Sequence, residues 1–201
     1  GRRTVEVRPG QLAAALKGAK PGDLLRLAPG TYEGTFEFPS GTAESPIAVV
    51  AAEPGKAVFD GKGGARAIAA SGCHDLFLEG LAVRNATWGI VLNGAARATV
   101  RRCTIEDVDY GITATASTDK QQDFFFADNV LRGRSTWPRS QGIENRRGVQ
   151  ISGAGHAVCY NRIRGFADGI DTFSTYPCSA IDFYRNEISE CTDDGVEMHY
   201  S

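Results

Sequence analysis

The stretch HAVCYNRIRG at 156–165 returns as IDFYRNEIS at 181–189. His156, Val158, Asn161 and Ile163 in the first occupy the places of Ile181, Phe183, Asn186 and Ile188 in the second. A glycine and a β-branched residue follow each, Gly169-Ile170 and Gly195-Val196. Three earlier copies extend the series upstream: Phe124, Phe126, Asn129, Leu131, then Gly148-Val149; Ala98, Val100, Cys103, Ile105, then Gly111-Ile112; and Leu76, Leu78, Leu81, Val83, then Gly89-Ile90. The first four positions keep the same offsets in all five. The glycine follows the middle position by 8, 8, 19, 8 and 9 residues, and the long third value marks an insertion, roughly Gly133 to Arg147.

Apolar residues two apart face one side of a strand. Each copy therefore reads as a short strand, a turn at the middle position, a second short strand, the glycine and a third strand. One such coil cannot bury its inner face alone, whereas coils stacked about 4.8 Å apart bury it continuously. The expected fold is all-β, a right-handed parallel β-helix (solenoid). An Asn at the inward turn can stack on the Asn of the next coil and bond backbone, which accounts for Asn129, Asn161 and Asn186 as a ladder. Fixed offsets and a recurring Asn argue against a sandwich of short strands.

The first 65 residues differ. Gln11 to Lys17 is a short Ala-rich helical stretch that suits a cap over the open end of the core. Strands are expected at Leu24–Leu27, Ile47–Val50 and Ala57–Phe59. The organisation read is one β-helix domain, with 1–65 as cap and first coils and 66–201 as repeat coils carrying an insertion at about 133–147. The pattern stops at Tyr200-Ser201, directly after a repeat strand and without a capping segment. The expectation is a C-terminally truncated helix, or one capped by another chain.

Bulk properties exclude several classes. The net charge of −2 over 201 residues gives no basic field for nucleic acid. No apolar run reaches the roughly 20 residues of a membrane span. Gly1 to Pro9 has no signal-peptide core, so any export signal is expected to have been removed. The five cysteines, at 73, 103, 159, 178 and 191, show no CxxC spacing, which argues against zinc. They leave open one disulfide or buried free thiols. Asn85-Ala86-Thr87 is a glycosylation triplet of the kind common by chance.

The runs PGDLLRLAPGTYEG (21–34) and SGTAESPIAVVAAEPGKAVFDG (40–61) resemble the N-terminal cap and first coils of pectate-lyase-like and chondroitinase-B-like β-helix proteins. The repeats over 75–201 resemble the same superfamily. That resemblance implies a secreted or periplasmic protein acting on a polysaccharide, often an acidic one built from uronic acids. The scaffold also carries many reactions and some non-enzymes.

Candidate chemistry sits after the repeat glycines. The next residues, Ile90, Ile112, Val149, Ile170 and Val196, should point inward. Those one further on, Val91, Thr113, Gln150, Asp171 and Glu197, should form an outward column. Asn93, Thr115, Ser152, Phe173 and His199 should form another. This face turns acidic toward the C-terminus: Asp171 and Glu197 fall on adjacent coils, with Asp168, Asp193, Asp194 and His199 beside them. Carboxylates about 5 Å apart either share a proton or hold a cation, so they supply a general acid beside a base or an oxygen cage for calcium on Asp171 and Glu197. Asp before Gly is also an ordinary turn choice, which Asp168 and Asp194 could represent.

Two reactions compete. Hydrolysis by paired carboxylates needs them roughly 6.5–9.5 Å apart for inversion or 5–5.5 Å for retention. The run DGID (168–171) followed by DDGVE (193–197) is similar to the polygalacturonase arrangement, which would give Asp168, Asp193 and Asp194 the catalytic roles; Ala167 stands where that family has Thr. β-Elimination needs a cation beside the substrate carboxylate and a base at C5. Arginine candidates for that base are Arg139, Arg146 and Arg147, with Arg132, Arg162 and Arg164 nearby. There is no clear counterpart of the lysine motif of chondroitinase-B-like lyases. Trp137 reads as a sugar platform or a packed loop anchor, and Arg146, Arg147 and Gln150 as substrate contacts. His156 sits at an inward position and reads as a core or lining residue. A non-catalytic binding or surface protein on the same solenoid is the alternative.

Overall fold

A computed structural model describes residues 3–117, 119–139 and 144–199. The centre of the insertion, 140–143, and the terminal Tyr200-Ser201 thus lie outside the described residues.

Two parallel sheets run the length of a right-handed solenoid. The first has eight strands stacked in chain order: Thr4–Val7, Leu24–Leu27, Ile47–Ala51, His74–Glu79, Ala96–Arg101, Phe125–Ala127, Gly153–Cys159 and Cys178–Tyr184. Alternate side chains point inward and are buried, among them Leu25, Val49, Leu78, Val100, Phe126 and Val158. Thr4–Val7 pairs with Leu24–Leu27, so the sheet begins earlier than the repeat pattern shows. The helix is Leu12–Lys17; it buries Leu12 and Leu16, one helical turn apart, on the core.

The second sheet differs from the sequence expectation. The strand after the turn and the strand around the glycine are continuous in the early coils, as Ala57–Ala69, Ala82–Val91 and Thr104–Ala114. A register shift between Glu106 and Val108 carries the bend without ending the ladder. Later coils split into two arms. One arm is Val130–Gly133, Arg162–Arg164 and Glu187–Ser189; the other is Arg147–Ile151, Asp168–Thr172 and Val196–Met198. The insertion causes the first split, because Gly133 pairs with Val108 while Arg147 pairs with Tyr110. The repeat glycines stand where coils touch. A Cβ on Gly111 would lie 2.5 Å from the Gly148 carbonyl oxygen, which no other residue could tolerate.

The asparagine turns form the expected ladder. Asn161 Nδ2 donates to Asn186 Oδ1 at 3.0 Å and to the Phe126 carbonyl at 2.9 Å. Asn161 Oδ1 accepts the Asn129 backbone and side-chain N–H groups, both at 3.0 Å. Asn129 repeats the pattern on Cys103 N–H and the Val100 carbonyl. His156 is a core residue: it is buried, stacks on Phe124 and accepts the Phe124 N–H at Nδ1. Burial lowers its pKa to about 4. All five cysteines are free thiols, three of them buried.

Replacing Asn161 by Ala strands a buried carbonyl and two N–H groups at once. The expected loss is about 3 kcal/mol or more in urea unfolding, with a smaller loss for Asn186→Ala at the half-exposed end. Equal losses at the two positions would contradict a ladder that gains strength from burial.

Candidate functional site

The glycine bend turns two columns of side chains onto one outer face. The position before the glycine runs Trp88, Tyr110, Arg147, Asp168 on successive coils, with Arg66 preceding Trp88. The position two after the glycine runs Val91, Thr113, Gln150, Asp171, Glu197. The sequence offsets thus give the observed register, and Asp171 and Glu197 are direct partners on adjacent strands.

Burial differs from the exposed charge stack that the sequence suggests. Asp168 is 0% and Asp171 2% exposed, beneath their neighbours, while Asp193 and Asp194 remain exposed. Asp168 is a strand residue rather than a turn residue. Arg147 explains how two buried acids coexist. Its Nε lies 2.7 Å from Asp168 Oδ2 and donates to Asp171 Oδ2 at 3.0 Å. Gln150 Nε2 donates to the same Asp171 oxygen at 2.6 Å. Asp168 Oδ1 accepts the Asp194 N–H at 3.1 Å. His199 Nε2 lies 3.3 Å from Asp171 Oδ1 and 3.2 Å from Glu197 Oε2, so it bridges the two carboxylates.

Two buried oxygens have ion-pair contacts but no well-directed hydrogen bond among the described residues: Asp168 Oδ2, beside Arg147 Nε, and Asp171 Oδ1, 3.3 Å from His199 Nε2. Buried polar atoms in native structures are nearly always satisfied, so such an oxygen calls for a proton, a water or a cation. Two sets of three residues bring ligand atoms within 4.8 Å of one another: Asp171, Glu197 and His199, and Asp168, Asp193 and Asp194. At Asp168 burial outweighs the Arg147 charge and the Asp194 N–H, and the carboxyl pKa is raised.

The other sequence candidates fall in different places. Arg146 binds Asp109 at 2.9 Å and Glu144 at 2.6 Å. Arg134 reaches the same Asp109, and the Ser135 N–H bonds the Gly165 carbonyl. Arg146 therefore anchors the insertion to the solenoid. Trp137, in that insertion, is 57% exposed. Arg132, Arg162 and Arg164 lie on the other arm of the sheet, each beside a glutamate. Of the arginines considered as bases, Arg147 stands in the cluster. The residues that sequence reasoning passed over are Arg66, Trp88 and Tyr110. Their signal was present, since Trp88 and Tyr110 precede repeat glycines just as Arg147 and Asp168 do.

No family model and no curated protein matches the chain. Solved structures do. An alginate lyase from Paenibacillus sp. str. FPU-7 aligns with 92% of this chain and 76% of its own, at 23% identity and a TM-score of 0.67. The pectate lyase Pel9A aligns with 93% of this chain and 55% of its own, at 21% identity and a TM-score of 0.67. A mannuronic acid specific polysaccharide family 6 lyase from human gut microbiota aligns with 98% and 53%, at 19% identity and a TM-score of 0.57. This chain thus spans about three quarters of the first and about half of the other two. At these identities the likeness is one of fold, and the fold is the parallel β-helix of pectate and alginate lyases. Among the described residues no helix is long and apolar enough to cross a membrane.

The raised Asp168 pKa has a definite sign in stability. The folded state favours the protonated carboxyl, so the contribution is fullest below the unfolded value of 3.8 and is lost as pH rises through the folded value. Asp168→Asn, which keeps the acceptor for the Asp194 N–H, removes that loss. The variant should gain stability relative to the parent as pH rises from about 4 toward neutrality, read by urea unfolding across that range. A difference that is flat with pH would show that Asp168 is ordinarily ionised in the fold.

Proposed function

We propose that this chain is a carbohydrate-active protein that cleaves an acidic, uronic-acid-containing polysaccharide outside the cytoplasm, as a secreted or periplasmic protein. The observation that carries the reading is Asp171. It is a buried carboxylate on the outer sheet face, with one oxygen that takes no well-directed hydrogen bond and lies beside Glu197 and 3.3 Å from His199 Nε2. A buried acid that shares its one arginine with a second buried acid is costly to fold around. A site that works on a charged substrate gives it a use.

β-Elimination fits this arrangement best. Asp171 Oδ1 and the Glu197 carboxylate are hard donors of the kind calcium takes. A cation held there would neutralise the substrate carboxylate and acidify the C5 proton. His199 would accept that proton at Nδ1, its Nε2 being held against the two carboxylates. Loss of the C5 proton and of the C4–oxygen bond leaves a C4=C5 double bond, and the departing oxygen takes up a proton from water or from the protonated His199 to become a new reducing end. Arg147 and Gln150 position Asp171 through its other oxygen. Asp193 and Asp194 border the same face from the last turn.

Hydrolysis is the second reading, and the raised pKa of Asp168 supports it by supplying a buried proton donor. Against inversion, the oxygens of Asp168, Asp193 and Asp194 come within 4.8 Å of one another, closer than the roughly 6.5–9.5 Å that leaves room for a water.

Incubation with pectate, polymannuronate, polyguluronate and chondroitin separates the readings. Elimination gives ultraviolet absorbance from the conjugated double bond together with reducing ends. Asp171→Ala should then lower kcat/KM by about 10²–10³-fold, the range for losing one electrostatic stabiliser. Reducing ends without absorbance would mean hydrolysis. Retained affinity with no cleavage would mean a binding protein.

The cation has its own test. Calcium at about 100 times its Kd should add about 2.7 kcal/mol of stability, so chelation should lower the melting temperature. Asp171→Ala should abolish that sensitivity. An unchanged melting curve in chelator contradicts a bound cation.

A further inference from the structure

Beside the acidic cluster the same outer face carries a groove of about 240 Å³. One wall is Trp88 and Tyr110, whose rings stack on each other at 5.4 Å and 17°. The floor is Val91 and Thr113, each 4% exposed. The far wall is Asn93 and Thr115, tied together by the Thr115 N–H on Asn93 Oδ1 at 2.8 Å.

Three features point to a ligand. Thr113 Oγ1, on the floor, is buried and has no hydrogen-bond partner among the described residues. Gln150 closes one end of the groove and donates to Asp171 at 2.6 Å, which makes the groove continuous with the acidic cluster. Arg66 stands at the opposite end, exposed, with no carboxylate partner among the described residues. Cation, neutral amphipathic trough and acidic end therefore follow one another on successive coils, about 4.8 Å apart.

We infer that this groove holds the run of a uronate chain leading into the acidic cluster, with the chain lying parallel to the solenoid axis. The C–H surfaces of the sugars would face Trp88 and Tyr110. Their hydroxyls would meet Asn93, Thr113 and Thr115, and a carboxylate at the far end would pair with Arg66. The inference rests on the proposed polyuronate substrate and adds the direction and length of its binding.

The test uses hexamers of mannuronate and galacturonate, with the corresponding disaccharides as short probes. The chain has two tryptophans, so a Trp137→Phe background reports from Trp88 alone, read by stopped-flow fluorescence before turnover. The hexamer should shift Trp88 emission saturably and the disaccharide should not. Arg66→Gln should weaken hexamer binding about tenfold, the order expected for one charge-assisted hydrogen bond. Thr113→Val should weaken it in the same direction while leaving the melting temperature unchanged or raised, because the hydroxyl has no partner to lose. Arg66 is exposed, so its variant tests the groove without disturbing the core. Hexamer binding by calorimetry with unchanged Trp88 emission and no effect of Arg66→Gln would overturn the groove and leave the cleavage reading standing. Failure of both hexamers to bind by calorimetry would overturn both readings.

Discussion

Every feature of the outer face depends on the register with which one coil stacks on the next. That register is pinned from inside, where Asn129, Asn161 and Asn186 hand amide hydrogen bonds from turn to turn. Side chains alternate with a period of two, so a slip of one residue would turn Ile170 outward and Asp171 into the core. The ladder forbids that slip, because each Asn satisfies the backbone of its neighbour and has no other partner in the interior. The glycine column tightens the stack further, with coils close enough at Gly111 and Gly148 to exclude a Cβ.

On that frame, the acidic end is a concentrated electrostatic expense. Asp168 and Asp171 are withdrawn from water, and one arginine, Arg147, serves both. Burying two carboxylates against one arginine leaves a deficit, visible in the raised Asp168 pKa and in two oxygens that take no well-directed hydrogen bond among the described residues. A structural ion pair would be complete. This one is open on the side that faces Glu197 and His199, where a cation or a proton would complete it. The upstream columns are different in kind. From Val91 to Thr115 they offer apolar side chains, hydroxyls and amides and no acid, as the proposed sugar-holding groove requires.

Much of this was legible in the sequence because a solenoid writes its register as a period. The offsets from His156 to Ile163 and from Ile181 to Ile188 gave the stack, the ladder and the partnership of Asp171 with Glu197. Burial was not legible. Position two after the glycine points outward, but whether it is wet depends on Arg147, Gln150 and His199 folding over it, and spacing carries no information about that. The same gap hid the pairing of Arg147 with Asp168 and Asp171. Thr4–Val7 has no asparagine turn after it and so lacked a copy to match. The fused strands of the early coils were hidden because a bulge near Asp107 bends the chain without breaking the ladder. Trp88 and Tyr110 were passed over for a simpler reason: they precede the glycines, and the column after the glycines held the charges.

The central claim is that the register places one continuous binding face, from Arg66 to His199, along the outside of the solenoid. A crystal structure with a bound hexauronate tests it most directly. The expected result is sugar density running along the solenoid axis over Trp88, Thr113 and Gln150, with one carboxylate beside Asp171 and Glu197. Density on the opposite arm, over Arg132 and Arg162, with an empty outer column at Asp171, would contradict it.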